Sequence, residues 1–281
     1  MATTRFDVRY TVHPEDYQGY GTERLRNEFH IPQLFFDETV YWVYSHYDRY
    51  MAGGAMPVQE EIPLESIDPL RSDNFLDRRE IGIINVGGSG TVIVGGQRYD
   101  LAYKEALYLG KGASQVSFAS DNPEQPARFY LNSAPAHHAY PSKKITQEDA
   151  EIVELGSLET SNARTIRKLI VNSIVPTCQL QMGMTELKLG SVWNTMPAHV
   201  HDRRMEVYFY FELPEDQAVC HFMGQAEHTR NIWMHNQQAV ISPPWSMHCG
   251  SGTSNYTFIW GMAGENLDYG DMDGFSPTEM R

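Results

Sequence analysis

The chain has 281 residues, 41% of them hydrophobic, enough for one large β domain or two ordinary ones. Its 22 Lys and Arg against 36 Asp and Glu leave a formal net charge of -14, which argues against nucleic acid and anionic membranes as partners. Three irregularly spaced cysteines, no apolar run near the ~20 residues of a membrane span, and an N-terminus lacking a signal-peptide core point to a soluble cytoplasmic protein with reduced thiols.

Residues 1–40 are mixed and polar, with a short helix expected over 21–29 and Thr22 as its cap. Residues 35–48 are rich in β-branched and aromatic side chains and read as strand. His46, Asp48 and Arg49 close that stretch; an isolated His beside Tyr and Asp is more often a satisfied structural residue than a ligand contact. Gly53-Gly54 and Pro57 are expected to break the chain, and a polar linker holding Pro63 and Pro69 follows. From Ile81 to Tyr99, apolar runs alternate with glycine turns, a dense β-meander signal. These glycines do not form a phosphate loop, which would open a helix, because Thr91-Val92-Ile93-Val94 continues as strand.

Further along, His137-His138 is an adjacent pair whose side chains diverge, and Lys143-Lys144 reads as a solvated pair. A short helix is expected from Thr146, with that residue as N-cap and Asp149 near its third position. Arg164, Arg167 and Lys168 form a basic patch in an otherwise acidic chain. Residues 178–187 read as a strand presenting Gln179, Gln181 and Thr185 on one face. Polar side chains inside a small barrel are costly unless they bond to substrate or water, so Gln179 and Gln181 are candidate pocket residues. Residues 256–261 read as the closing strand, and the acidic residues 265–273 as loop.

The chemistry concentrates between Thr195 and Phe211. His199 and His201 stand two apart, so on a strand both imidazoles point to one face. Glu206 follows at an odd offset and needs a bend or bulge at Asp202–Arg203 to return to that face, which it then shares with Tyr208 and Tyr210. Two His and one Glu make three corners of a site suited to zinc, manganese or ferrous iron, with positions left open for water or substrate. His248, behind Pro243-Pro244, is expected to supply the fourth ligand. A His-x-His pair alone is weak, since such pairs are often surface or satisfied core residues; the added Glu and the downstream His strengthen it. The pattern H-x-H-x4-E followed by P-x4-H resembles the paired motifs of the cupin superfamily.

The second half echoes the first. Asp77-Arg78-Arg79-Glu80 is matched to the segment ending at Glu206, and Gln115 to His248, with the positions of His199 and His201 falling in residues 73–76, which hold no His. A repeat of about 130 residues implies two similar β domains. The expected fold is therefore all-β: two cupin-type double-stranded β-helix barrels (a bicupin) with a few short helices. Residues 1–145 form the expected metal-free N-terminal domain, and residues 146–281 the metal-binding catalytic one.

The likeness runs closer than superfamily level. Tyr44-Ser45-His46-x-Asp48-Arg49, Arg78-Arg79-Glu80-x-Gly82, His199-x-His201, the run from Arg203 to Phe211 and the run from Thr257 to Met262 resemble the 4-deoxy-L-threo-5-hexosulose-uronate ketol-isomerase family over essentially the whole chain. The resemblance implies a Zn2+-dependent bicupin that isomerises a keto-uronate in pectin breakdown, with zinc on His199, His201, Glu206 and His248. The product would be 3-deoxy-D-glycero-2,5-hexodiulosonate. It also implies a homo-oligomer, plausibly a hexamer, for which the aromatic-rich residues 35–50 offer a packing surface. Glu206 is then occupied as ligand, and the base is a bound hydroxide or a nearby group such as Tyr208 or Tyr210. Arg164, Arg167, Arg203 and Arg204 are candidate partners for the substrate carboxylate. Two rival readings are a cupin metal-dependent dioxygenase and a non-catalytic sugar-binding cupin.

Overall fold

The computed structural model describes residues 3–265 and 270–281, so residues 266–269 of the acidic segment expected as loop lie outside the described residues. Among the described residues the protein is all-β apart from one short α-helix, Thr22–Phe29, and two single-turn 3-10 helices. No helix among the described residues is long and apolar enough to cross a membrane. The chain divides into two compact units: residues 1–8, 34–150 and 169–181 make the first, and residues 9–33, 151–168 and 182–281 the second.

In the first unit a seven-stranded sheet runs in the order Thr3–Arg9, Thr39–Ser45, Met51–Met56, Phe129–Pro135, Arg79–Asn85, Ala106–Leu109, Lys143–Ile145. A four-stranded sheet accompanies it: Ile62–Pro63, Val116–Ser120, Gly90–Val94, Gln97–Leu101. The second unit repeats this order. Its seven-stranded sheet is Glu151–Leu155, Arg164–Ile170, Gln181–Leu187, Thr257–Gly264, Arg204–Phe211, Gln238–Ser242, His30–Ile31. Its other sheet is Trp193–Val200, Met247–Gly252, Val219–Gln225, His228–Met234, with Asp273–Gly274 added beyond the first of these. The internal repeat is thus a repeat of topology, strand for strand.

Cross-strand pairing identifies the corresponding residues, and here three sequence matches are corrected. His199 pairs with His248, and the equivalent pair in the first unit is Ile62 with Phe118. Glu206 pairs with Ser242, and Ile81 pairs with Leu109. The positions of His199, His201, Glu206 and His248 are therefore held by Ile62, Leu64, Ile81 and Phe118, not by residues 73–76, Glu80 and Gln115. All four pack in one apolar cluster and offer no ligand atom. Matching Glu80 to Glu206 slips the register by one residue, and a one-residue slip turns a side chain to the opposite face of the sheet.

On that opposite face Glu80 has a different task. Its fully buried carboxylate accepts the backbone N–H groups of Cys178 (2.8 Å), Gln179 (2.9 Å) and Leu180 (2.9 Å), and the Tyr108 hydroxyl (2.7 Å). Removing the carboxylate strands three backbone donors. Glu80→Ala should cost roughly 3 kcal/mol or more, read in thermal unfolding as a fall in Tm on the order of 10 °C. An unchanged Tm would remove this role.

Three local expectations are also corrected. The helix starts after Gly21, with no side-chain cap from Thr22. Gly53 and Gly54 lie inside the strand Met51–Met56, where a Cβ would come within 2.4 Å of the Tyr41 carbonyl oxygen and 2.5 Å of that of Leu34; close approach, not a turn, requires glycine there. Thr146 opens no helix: its N–H and hydroxyl both bond Asp149 Oδ2 at 2.8 Å in a turn before the strand Glu151–Leu155. The aromatics expected as a packing surface are mostly buried within the chain, with Trp42 stacked on Phe75 and Tyr50 fully enclosed, so they do not carry an assembly argument.

Candidate metal centre

The four candidate ligands come from both sheets of the second unit. His199 lies on Trp193–Val200 and His248 on Met247–Gly252, directly opposite each other. The ladder between these strands shifts register between Asn194 and His199, a bulge that re-aims the imidazole. His201 sits just beyond the strand, and the expected bend follows at Asp202–Arg203, closed by a bond from Arg204 N–H to the His201 carbonyl (3.2 Å). That turn carries the chain into the other sheet, where Glu206 lies on Arg204–Phe211.

The ligand atoms of all four residues fall within 4.8 Å of one another. His199 Nε2 stands 2.9 Å from His201 Nε2 and 3.2 Å from His248 Nε2; Glu206 Oε2 stands 2.8 Å from His248 Nε2 and 3.3 Å from His201 Nε2. The outer ring nitrogens set the tautomers. His201 Nδ1 lies 2.6 Å from the Asp271 carbonyl. Arg204 Nε donates to the same Nδ1 at 3.2 Å, and its Nη2 donates to the Asp271 carbonyl at 3.2 Å, so the guanidinium braces the ring from behind. The Ser242 hydroxyl donates to the Ser246 carbonyl and is left to accept from His248 Nδ1 at 3.0 Å. The Nε2 atoms of His201 and His248 both face Glu206 Oε2, at 3.3 and 2.8 Å. Burial and the two neighbouring imidazoles push His199 down to about 2, so this ring is neutral. Burial opposes ionisation of Glu206, yet His248 and His201 hold its carboxyl below the usual carboxylate range. Three imidazole nitrogens and one carboxylate oxygen converging within 4.8 Å fit a divalent transition ion.

These groups open into a cavity of about 340 Å³. Its walls include Arg164, Thr185, Thr195, Tyr208, Trp260 and Met262, and Arg164 is the sole Lys or Arg among the lining residues. The Tyr208 hydroxyl is 2.8 Å from Thr195 Oγ1, and its ring lies 5.2 Å from that of His248.

Other candidate residues lie elsewhere. Tyr210 is buried outside the lining, its hydroxyl 2.8 Å from His221 Nδ1, and burial raises its pKa well above the usual tyrosine value. Gln181 is buried but is not part of the wall, and Gln179 donates to the Pro135 carbonyl. Arg203 is exposed and 3.5 Å from Glu265, Arg204 is buried behind His201, and Arg167 pairs with Glu186 at 2.7 Å. Sequence reasoning missed Thr195, Trp260 and Met262 as wall residues. The last two face the pocket because they pair with Tyr208 and Glu206 across the ladder, a register that a single strand does not reveal.

The family profile described as "KduI/IolB family" matches residues 35–273. Among curated relatives, a protein from Formosa agariphila named 4-deoxy-L-threo-5-hexosulose-uronate ketol-isomerase is 61% identical over 99% of this chain and 100% of its own length. Proteins of the same name from Bacteroides fragilis (99% of each chain) and Escherichia coli O127:H6 (98% of this chain, 100% of the relative) are 58% and 51% identical. Among solved structures, an IolB-like protein from Salmonella typhimurium LT2 superposes with a TM-score of 0.67 at 15% identity, over 80% of this chain and 87% of that one. Lactobacillus farciminis oxalate decarboxylase gives 0.56 at 10% identity over 80% and 79%, a likeness of fold alone.

Proposed function

The chain belongs to the KduI/IolB family, and from that premise we propose that it is a zinc-dependent ketol-isomerase of a 4-deoxy-5-keto-uronate, forming 3-deoxy-D-glycero-2,5-hexodiulosonate. The observation that carries this reading is the intact set of three imidazoles and one carboxylate opening into a pocket with a single guanidinium. His199, His201, Glu206 and His248 would hold the ion, which when bound supplies Lewis acidity to the substrate's adjacent oxygens without redox chemistry. The reaction itself is redox-neutral: the C1 aldehyde and C2 hydroxyl become a C1 hydroxyl and a C2 ketone. One proton leaves C2 and one arrives at C1, while the hydroxyl proton passes from O2 to O1.

The chain's own groups divide the remaining work. Tyr208, held by Thr195, presents a hydroxyl beside the ligands and moves a proton at the reacting carbons. Tyr210, bonded to His221 behind it, keeps that wall in place. Trp260, Phe258 and Met262 exclude water. Arg164 takes the substrate carboxylate; its Nη1 donates to the Asn162 carbonyl at 2.9 Å, which orients the guanidinium. Incubating the protein with the keto-uronate and following carbonyl migration from C1 to C2 by NMR tests the reading, and an unchanged substrate in the presence of stoichiometric zinc would defeat it.

Arg164→Leu should raise KM about 10- to 100-fold, the worth of one charge-assisted hydrogen bond, with a smaller change in kcat. If KM stays at the wild-type value, the carboxylate binds elsewhere.

The first unit, with apolar side chains at its ligand positions, we read as scaffold for the second. We further propose a homo-oligomer, a hexamer at fullest. Ile152 and Leu155 on the edge strand Glu151–Leu155, with Leu158 and Leu189 nearby in sequence to strands of the same unit, expose large apolar side chains of the kind copies cover. A monomer mass by light scattering at micromolar concentration would overturn this. Three free cysteines, Cys178, Cys220 and Cys249, suit a reducing cytoplasm.

A further inference from the structure

The first unit carries a second cavity, of about 450 Å³, unrelated to any ligand position of the repeat. Four arginines from three separate segments line it: Arg49, Arg71, Arg78 and Arg79, with Tyr44 beside them. In a chain of net charge -14, with 22 basic residues in all, such a gathering opposes the global field. Among the described residues none of the four forms an ion pair with a carboxylate. The carboxylate next to them in sequence, Glu80, is consumed by three backbone N–H groups and Tyr108.

Arg79 is built into the wall. It is only 5% exposed; its Nε bonds Ser133 Oγ at 3.0 Å and its Nη2 bonds the carbonyls of Arg49 and Ser133 at 2.8 Å, which leaves Nη1 without a hydrogen bond. Arg78 Nη2 clamps the carbonyls of Leu70 and Arg71, fixing the loop that carries Arg71. Arg49 and Arg71 sit at φ 50 and φ 47, left-handed conformations that side chains other than glycine adopt at a cost, commonly where a site demands them. Burial, opposed by Tyr44 and Glu80 and aided by Arg49, lowers Arg79 to about 10.

We propose that the first unit holds a second, non-catalytic site for a small oxyanion, a sugar-acid carboxylate or a phosphate ester, gripped by Arg49, Arg71, Arg78 and Arg79. Guanidiniums lining one concave cavity offer the charge-assisted hydrogen bonds these anions prefer. The volume of this cleft suits a monosaccharide-sized ligand.

Calorimetric titration of the zinc-loaded protein at low salt, with galacturonate, inorganic phosphate and neutral galactose as separate probes, tests this. At least one anion should bind with a Kd of about 1 mM or tighter, and galactose should not. Preference between galacturonate and phosphate separates the two sources. Arg49→Gln with Arg71→Gln should weaken binding at least about tenfold while ketol-isomerase turnover stays unchanged, which separates this site from the metal-bearing pocket. If the glutamine pair fails to fold, Arg49→Lys with Arg71→Lys and a titration in high salt take its place: weakened binding in both supports the site. Absence of anion binding to wild type, or binding that survives both pairs of substitutions, overturns it.

Discussion

His248→Ala should fold as the wild type does, hold well under one equivalent of zinc, and turn over on the order of 10³-fold more slowly or worse. The imidazole is 1% exposed, pairs with the bulged strand at His199, and approaches the Glu206 carboxylate more closely than either other ligand. Deleting it removes one of three nitrogens and leaves the Ser242 hydroxyl without the ring it orients. The strand itself keeps its backbone ladder on both sides, to Trp193–Val200 and to Val219–Gln225, so circular dichroism and assembly should be unaffected. Chelation of the wild type should reproduce the loss, and added zinc should restore the wild type but not the variant. Metal analysis showing a full equivalent in His248→Ala would dissolve the assignment, whatever the activity. Iron with oxygen uptake in the wild type would instead favour a dioxygenase.

How much of this was legible in the chain depends on whether the signal was local. His199, His201 and Glu206 fall within eight residues, so period-two geometry and one bend could bring them together, and the turn at Asp202–Arg203 does so by changing sheets. The repeat was legible as similarity but not as register. Glu80 looks like Glu206 because each closes a segment opened by Asp-Arg-Arg, yet Glu80 points to the opposite face and binds three backbone N–H groups, while Ile81 occupies the ligand position. Ile62-x-Leu64, the apolar counterpart of His199-x-His201, was invisible because a two-residue strand leaves no periodic trace. Gly53 and Gly54 misled for a related reason: only the neighbouring strand and the Leu34 carbonyl reveal that they are spaces for close backbone approach. Equivalent edge positions are filled by Lys143–Ile145 in the first unit and by His30–Ile31 in the second, segments whose order in the sequence gives no hint of that symmetry.

Tyr208→Phe should retain a full equivalent of zinc and a near-normal KM, but lose kcat by roughly 10²- to 10³-fold, the usual worth of a positioned proton-transfer group. Packing should survive, because the ring contacts to Phe258 (4.7 Å) and His248 (5.2 Å) do not involve the hydroxyl. The lost partner, Thr195 Oγ1, lies on the pocket wall, where water can replace the phenol, so the stability cost stays small. Tyr210→Phe is the control on the same face of the same strand. Its hydroxyl meets His221 Nδ1 and Asn194 in a closed interior, and burial depresses that imidazole to about 3, so the ring stays neutral and the bond is structural. Tyr210→Phe should therefore cost about 1–3 kcal/mol of stability and leave kcat nearly untouched. Two hydroxyls separated by one residue thus give opposite signatures, one in kcat and one in Tm. A Tyr208→Phe enzyme with kcat within about threefold of wild type would assign the proton transfer to another group in the pocket.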